Sequence, residues 1–318
     1  MMKPYIYYSA ILLLCASAAC QKYPTPADDA VPLAFAADQT KAGLSSIFEN
    51  FEVWASCDDG SMTTDIMGSY RVNYDSADGW TYTKGDGTDS QELQYWSASA
   101  SEYRFHAGAP AAKVETISRN SVVLSMTSTT SISETALYSN ACKIKRSDPA
   151  YGSVVNLAFN YANARISLAF KYVSGAQVSL TDIRLIPPAS IATSGTFQFD
   201  YDWSVPEAIP RSLNITASTA AITFPDMEIP ENSTAAIETS APWYMIPDPA
   251  SKGQWTLSLK IYGVEKQTNF TLSKAWMPGK SYLYRFEYTD DAHLVFIGTS
   301  TAIFTGENLQ PGGEHNFS

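Results

Sequence analysis

Histidine, cysteine and charge are all scarce in this sequence. Three His and four Cys in 318 residues leave few ligands for a zinc or iron–sulfur centre. The histidines (His106, His293 and His315) are far apart in the chain and lack ligand spacing. Charged residues make up only 17%, and acids outnumber bases 32 to 21, for a formal net charge of −11. No basic stripe is present to release counterions from a phosphate backbone, which argues against nucleic acid as a partner. The catalytic signatures are missing too: no His-Glu-x-x-His, no Gly-x-Ser-x-Gly, no P-loop and no Gly-x-Gly-x-x-Gly. The reading is therefore of a protein that is not an enzyme and needs no cofactor or metal. No apolar run reaches the ~20 residues of a membrane-spanning helix.

Apolar and aromatic residues are plentiful. At 45% hydrophobic and 13% aromatic, the chain can bury a sizeable core. The first nineteen residues read as an export signal: basic Lys3, an apolar stretch from Ile6 to Ala16, then Ser17-Ala18-Ala19. Cys20 follows these small residues as in a bacterial lipobox, so it is the expected lipidation site, although Ser17 stands where Leu is usual. Residues 20–31 read as a flexible tether. Two cysteines then remain, Cys57 and Cys142. An oxidising exported context permits a disulfide between them, and two buried free thiols are the alternative.

The body reads as strands. Phe51 to Trp54, Tyr70 to Tyr74, Tyr103 to Phe105, Phe197 to Tyr201 and Tyr282 to Tyr288 alternate apolar with other residues, and many similar runs lie between them. Period-2 alternation buries one face and solvates the other. Strands at this spacing, without amphipathic helices between them, predict an all-β fold of antiparallel sandwiches. Thr130 to Asn140 has room for a short helical turn. Turns are expected at Asp78-Gly79, Asp86-Gly87 and Pro278-Gly279. Pro187-Pro188 marks the expected domain break, giving halves of residues 32–187 and 188–318.

Three site types compete with plain structure. The acidic clusters Asp58-Asp59-Gly60, Asp75 with Asp78-Gly79, Asp86 to Asp89 and Asp290-Asp291 have oxygens for Ca²⁺ but lack the spacing of a calcium loop, and they read as turns. A glycosidase carboxylate pair cannot be picked out. The seven Trp read mainly as core, with Tyr95-Trp96 and Trp243-Tyr244 as the surface candidates for sugar stacking.

Several runs together carry a family likeness: the lipoprotein-type signal, Lys41-Ala42, Phe51-Glu52-Val53-Trp54, the Tyr70-to-Tyr74 strand with Trp80, Tyr95-Trp96, Val155 to Phe159, Ala164 to Leu168, and above all Trp276-Met277-Pro278-Gly279-Lys280-Ser281-Tyr282. The chain resembles the fimbrillin-like proteins of Bacteroides-type bacteria over most of residues 31–290. The resemblance implies an outer-membrane, surface-exposed lipoprotein of two tandem transthyretin-like antiparallel β-sandwich domains. It further implies a structural subunit of a type V fimbria (shaft, tip or anchor) acting in cell adhesion. Its partners would be other fimbrial subunits, joined by strand exchange, and a host or bacterial surface ligand. In shaft subunits of such proteins a protease removes the N-terminal strand after a basic residue, and a C-terminal strand of the next subunit fills the groove. Here Lys41-Ala42 matches the processing position, Pro32 to Ala37 is the removable strand, and Leu294 to Phe304, extended by Asn308 to Ser318, is the donor. A terminal strand paired within its own domain is the competing reading of that tail. The chain departs from the shaft pattern in having no Arg before Arg71 and no Trp in the tail. Asp75-Ser76-Ala77 resembles the O-glycosylation motif of these bacteria, with Ser76 as acceptor. The rival function is a monomeric surface lipoprotein that binds glycans or host ligands.

Overall fold

The computed structural model describes residues 30–37, 48–83, 90–174, 176–289 and 293–304. Cys20, Lys41, Ala42, the turns at Asp86 and Asp290, and the tail beyond Phe304 lie outside the described residues.

The described chain is nearly all β. Its strands begin with β1 (Phe35–Ala37), β2 (Asn50–Asp58), β3 (Thr63–Asp75), β4 (Gly79–Thr81) and β5 (Glu102–Ala109). β6 (Val114–Ser118), β7 (Ser121–Thr127), β8 (Leu137–Ser139), β9 (Cys142–Lys145), β10 (Val155–Leu157) and β11 (Phe159–Tyr161) follow. Next come β12 (Ala164–Tyr172), β13 (Val178–Ile186), β14 (Ile191–Asp200), β15 (Ile209–Ser218), β16 (Ile222–Thr223) and β17 (Met227–Ile229). The chain continues through β18 (Ile237–Glu238), β19 (Trp243–Met245), β20 (Gly253–Ile261), β21 (Val264–Leu272), β22 (Lys280–Tyr288) and β23 (Leu294–Ile303). The helical turn expected within 130–140 is a single 3-10 turn, Ile132–Glu134.

Strands β11-β8-β5-β2-β3-β4 form one sheet in that order, with β9 also on β5. Behind it stands the sheet β15-β14-β7-β6. The contact is close at Gly108 of β5, where a Cβ would lie 2.9 Å from Cγ2 of both Val114 and Val122. Two further sheets, β18-β12-β22-β23 and β16-β13-β20-β21, face each other. The alternation read from sequence supplies three cores. The first gathers Phe51, Phe105 and Phe159. The second gathers Leu168, Phe170, Trp255 and Phe286. The third, between the first two sheets, gathers Leu124, Phe197 and Phe199.

Among the described residues, pairing is antiparallel except at two places. β1 pairs with β10, and β12 with β22, in parallel. A parallel pair needs a long crossover, here the whole of β13 to β21, and so it cannot be read from local alternation. Pro187-Pro188 joins β13 to β14. β14 then returns to pair with β7, while β12 and β13, which precede the prolines, pair with β22 and β20.

Candidate functional site

The N-terminal strand sits in a slot. On one side Trp96 N donates to Val31 O at 2.9 Å and Leu33 N to Gln94 O at 2.8 Å. On the other, Val155 N donates to Ala34 O at 2.8 Å, and the parallel ladder pairs Phe35 with Val155 and Ala37 with Leu157. The side chains alternate as a strand requires: Leu33, Phe35 and Ala37 are buried at 2%, 4% and 3% exposure, and Ala34 and Ala36 between them are half-buried. Val31, at the start of the segment, is 47% exposed. The Phe35 ring meets Tyr82, Phe105 and Phe51 edge-on, with centroids 5.8, 5.9 and 6.4 Å away. Burying Leu33 and Phe35 contributes about 3–6 kcal/mol. Without this segment the slot would expose backbone donors and acceptors on both walls and an aromatic floor. In strand addition generally, main-chain hydrogen bonds give affinity and pockets for alternate side chains give specificity.

The other end of the chain is already paired. β23 runs antiparallel along β22 from Leu294↔Tyr288 to Ile303↔Lys280. Phe304 is buried, stacked 3.9 Å from Tyr161 and 5.5 Å from Tyr244. Of the two readings of Leu294 to Phe304, the structure holds the strand paired within its own sheet. The Trp276-to-Tyr282 run makes the turn that leads into this hairpin. Trp276 is buried and donates through Nε1 to Tyr284 Oη at 2.8 Å. Met277 N donates to Tyr282 Oη at 3.0 Å. Gly279 takes φ +65°, a left-handed conformation that favours glycine.

Cys57 and Cys142 are both free. They lie on opposite sides of β5, with Cys57 across from Tyr103 and Cys142 across from Phe105. Two ladder spacings separate their backbones by about 9.6 Å, beyond the ~7 Å that a disulfide tolerates. Of the two alternatives left open by the sequence, this geometry fits the free thiols. Burial pushes the Cys142 thiol up to about 11. Ser76 is exposed at the tip of the β3–β4 hairpin, where Asp75 Oδ1 accepts from Ala77 N at 2.8 Å.

Of the sugar-stacking candidates, Trp96 and Tyr244 are built into the cores, while Tyr95 and Trp243 are half-buried. Trp96 is 7% exposed and packs 4.8 Å from both Tyr103 and Tyr151. Tyr244 is buried, and Trp243 Nε1 donates to Thr223 O at 2.8 Å. Distant segments fold over these pairs, and no local pattern records that. Asp59 uses its carboxylate within its own turn, accepting from the N–H groups of Ser61 and Met62 at 2.9 Å each. With the Ser61 hydroxyl, these bonds hold it down to about 2. Among the described residues no group of three or more His, Cys, Asp or Glu is gathered as for a metal.

His106, which reads as a surface or strand histidine, lies on strand β5, and only its depth was not read from the sequence. It is fully buried between the first two sheets, with Nε2 2.7 Å from Ser118 O and its ring 4.0 Å from Tyr201 and 5.3 Å from Trp54. Burial lowers it to about 3. Its strand alternates Tyr103, Phe105, Ala107 and Ala109 with Arg104, His106 and Gly108, so the local pattern sets His106 on the polar face, and the second sheet that covers that face leaves no local signal.

Stacked, mainly antiparallel sheets with a slot-held terminal strand define an all-β sandwich protein. A family model described as fimbrillin-like matches residues 40–302. The chain belongs to that family, which is a fimbrial one and not an enzyme family. Two solved structures share the fold. A fimbrial protein from Bacteroides vulgatus is 12% identical, with a TM-score of 0.57, over 86% of this chain and 99% of its own. A Bacteroides uniformis protein, described in connection with cell adhesion, is 15% identical, with a TM-score of 0.52, over 86% and 99%. No curated protein matches the sequence.

Proposed function

We propose that the protein is an exported, Cys20-lipidated subunit of a type V fimbria at the outer-membrane surface, which acts in adhesion and joins its neighbours by strand exchange. The observation that carries this reading is the N-terminal strand, whose three inward side chains fill a slot walled by backbone on both sides. Cutting after Lys41 frees that strand together with the lipid on Cys20, and a neighbour's strand takes its place and continues a head-to-tail filament, whereas an anchor subunit stays uncut and keeps both. Two features favour an anchor or tip over a shaft subunit: no Arg precedes Arg71, and β23 is already paired at home. Ser76 serves as the O-glycan acceptor. Strand pairing supports a domain boundary at about residue 163, with β14 and β15 crossing back to the first half, rather than at 187/188.

Limited trypsin treatment, followed by intact mass and size-exclusion chromatography, tests this. The expected result is one early cut after Lys41 and concentration-dependent oligomers. Cutting without growth would refute strand exchange.

A further inference from the structure

The seam between β21 and β23 opens into a cleft of about 360 Å³, within the range of small-ligand sites. The two edge strands meet at Phe270 and Phe296, whose rings stack at 4.8 Å. Beyond that contact the inner face of the β22–β23 hairpin changes character. The pair Phe286↔Phe296 gives way to Tyr284↔Thr299, then Tyr282↔Thr301, then Lys280↔Ile303. Thr299 and Thr301 are exposed, although they share the face of buried Tyr284 and Tyr282. The opposite wall adds Ser273, Lys274 and the half-exposed Met277. Positions that a sandwich normally fills with apolar side chains thus carry hydroxyls and ammonium groups. Neither Lys274 nor Lys280 is in an ion pair among the described residues, in a chain whose net charge is −11.

We infer that this cleft binds a carboxylated saccharide. The two ammonium groups meet the carboxylate, the threonine and serine hydroxyls meet sugar hydroxyls, and Met277 covers an apolar sugar face. An extended acidic peptide fits less well. It offers main-chain hydrogen bonds and carboxylates but nothing for Met277 to cover, and hexaglutamate stands for it below.

Calorimetric titration of the full chain with trigalacturonate, with N-acetylneuraminic acid, with the trigalacturonate methyl ester and with hexaglutamate tests the assignment. Saturable binding of one or both acid sugars is expected, with the two arms telling uronic from sialic acid. The neutral ester should bind about tenfold or more weakly, and Lys274→Gln/Lys280→Gln should lose about tenfold, roughly 1.4 kcal/mol. Thr299→Val/Thr301→Val keeps the charge and should still weaken the sugar. Melting curves check that each variant folds. Three results overturn the inference: no binding by any acid sugar, equal or tighter binding of hexaglutamate, or affinity unchanged in both variants. If the double Lys variant instead self-associates and binds no sugar, the lysines only guard the open strand edges.

Discussion

Replacing Phe35 with Ala tests how the N-terminal strand is held. Phe35 is 4% exposed and touches three rings, and Phe-to-Ala in such a core costs about 3–5 kcal/mol. That is a large share of the ~5–15 kcal/mol of a typical domain. If the strand opens as a unit, the loss falls on opening and not only on global unfolding. A loss of about 3 kcal/mol raises the open population about a hundredfold or more. Amide hydrogen exchange reads this directly, because Val155 N–H and Leu33 N–H are bonded across the strand's two sides. Both should exchange about a hundredfold faster in Phe35→Ala, while core amides such as that of Leu257 accelerate less. Val31→Ala, at a position 47% exposed, should change neither. The reasoning fails if Val155 and Leu33 stay as protected as in the parent protein, or if every amide accelerates equally.

Acid should destabilise the fold through His106. Its folded value lies near 3, below the ordinary ~6.5, so the unfolded chain takes up the proton first and stability falls as pH drops from about 6.5 toward 3. Between pH 6.5 and 5 this amounts to about 1.5 kcal/mol. Urea midpoints at the two pH values should therefore differ less in His106→Gln than in the parent; equal shifts would refute the assignment. Glu238→Ala strands the buried Arg165, now paired at 2.8 Å with 5% of its side chain exposed. It should cost about 3–5 kcal/mol in urea unfolding. Gly108→Ala should cost about 1–3 kcal/mol by overpacking against Val114 and Val122, whereas Gly68→Ala, with nothing within 4 Å, should be nearly neutral by the same measurement.

Long strands with one wet face were legible in the sequence. Tyr70 to Tyr74 and Tyr282 to Tyr288 fall inside β3 and β22, and Gly79 takes the positive φ (+71°) expected of an Asp-Gly turn. The N-terminal strand was legible too, since Leu33 and Phe35 already alternate with smaller residues. Short strands such as β17 and β18 were not, because two or three residues carry no period and exist only through their partners on β13 and β12. The return of β14 to β7 was equally hidden, being decided by packing some seventy positions apart in the chain. The depth of Trp96 and of His106 was hidden for one reason: a second layer covers each of them. The cleft below Phe296 escaped notice because Thr299 and Thr301 read as the wet face of a strand, and only the register with Tyr284 and Tyr282 turns them inward.

Strand replacement itself is the most direct test. Protein cut after Lys41 would be incubated with a fluorescent peptide copying residues 30–40, and with the same peptide carrying Ala in place of Phe35. Stable incorporation of the first, with displacement of the native segment and little uptake of the second, is the predicted result. Failure of the parent peptide to enter the cut protein, or equal uptake of both peptides, would contradict an exchangeable strand held by its buried side chains.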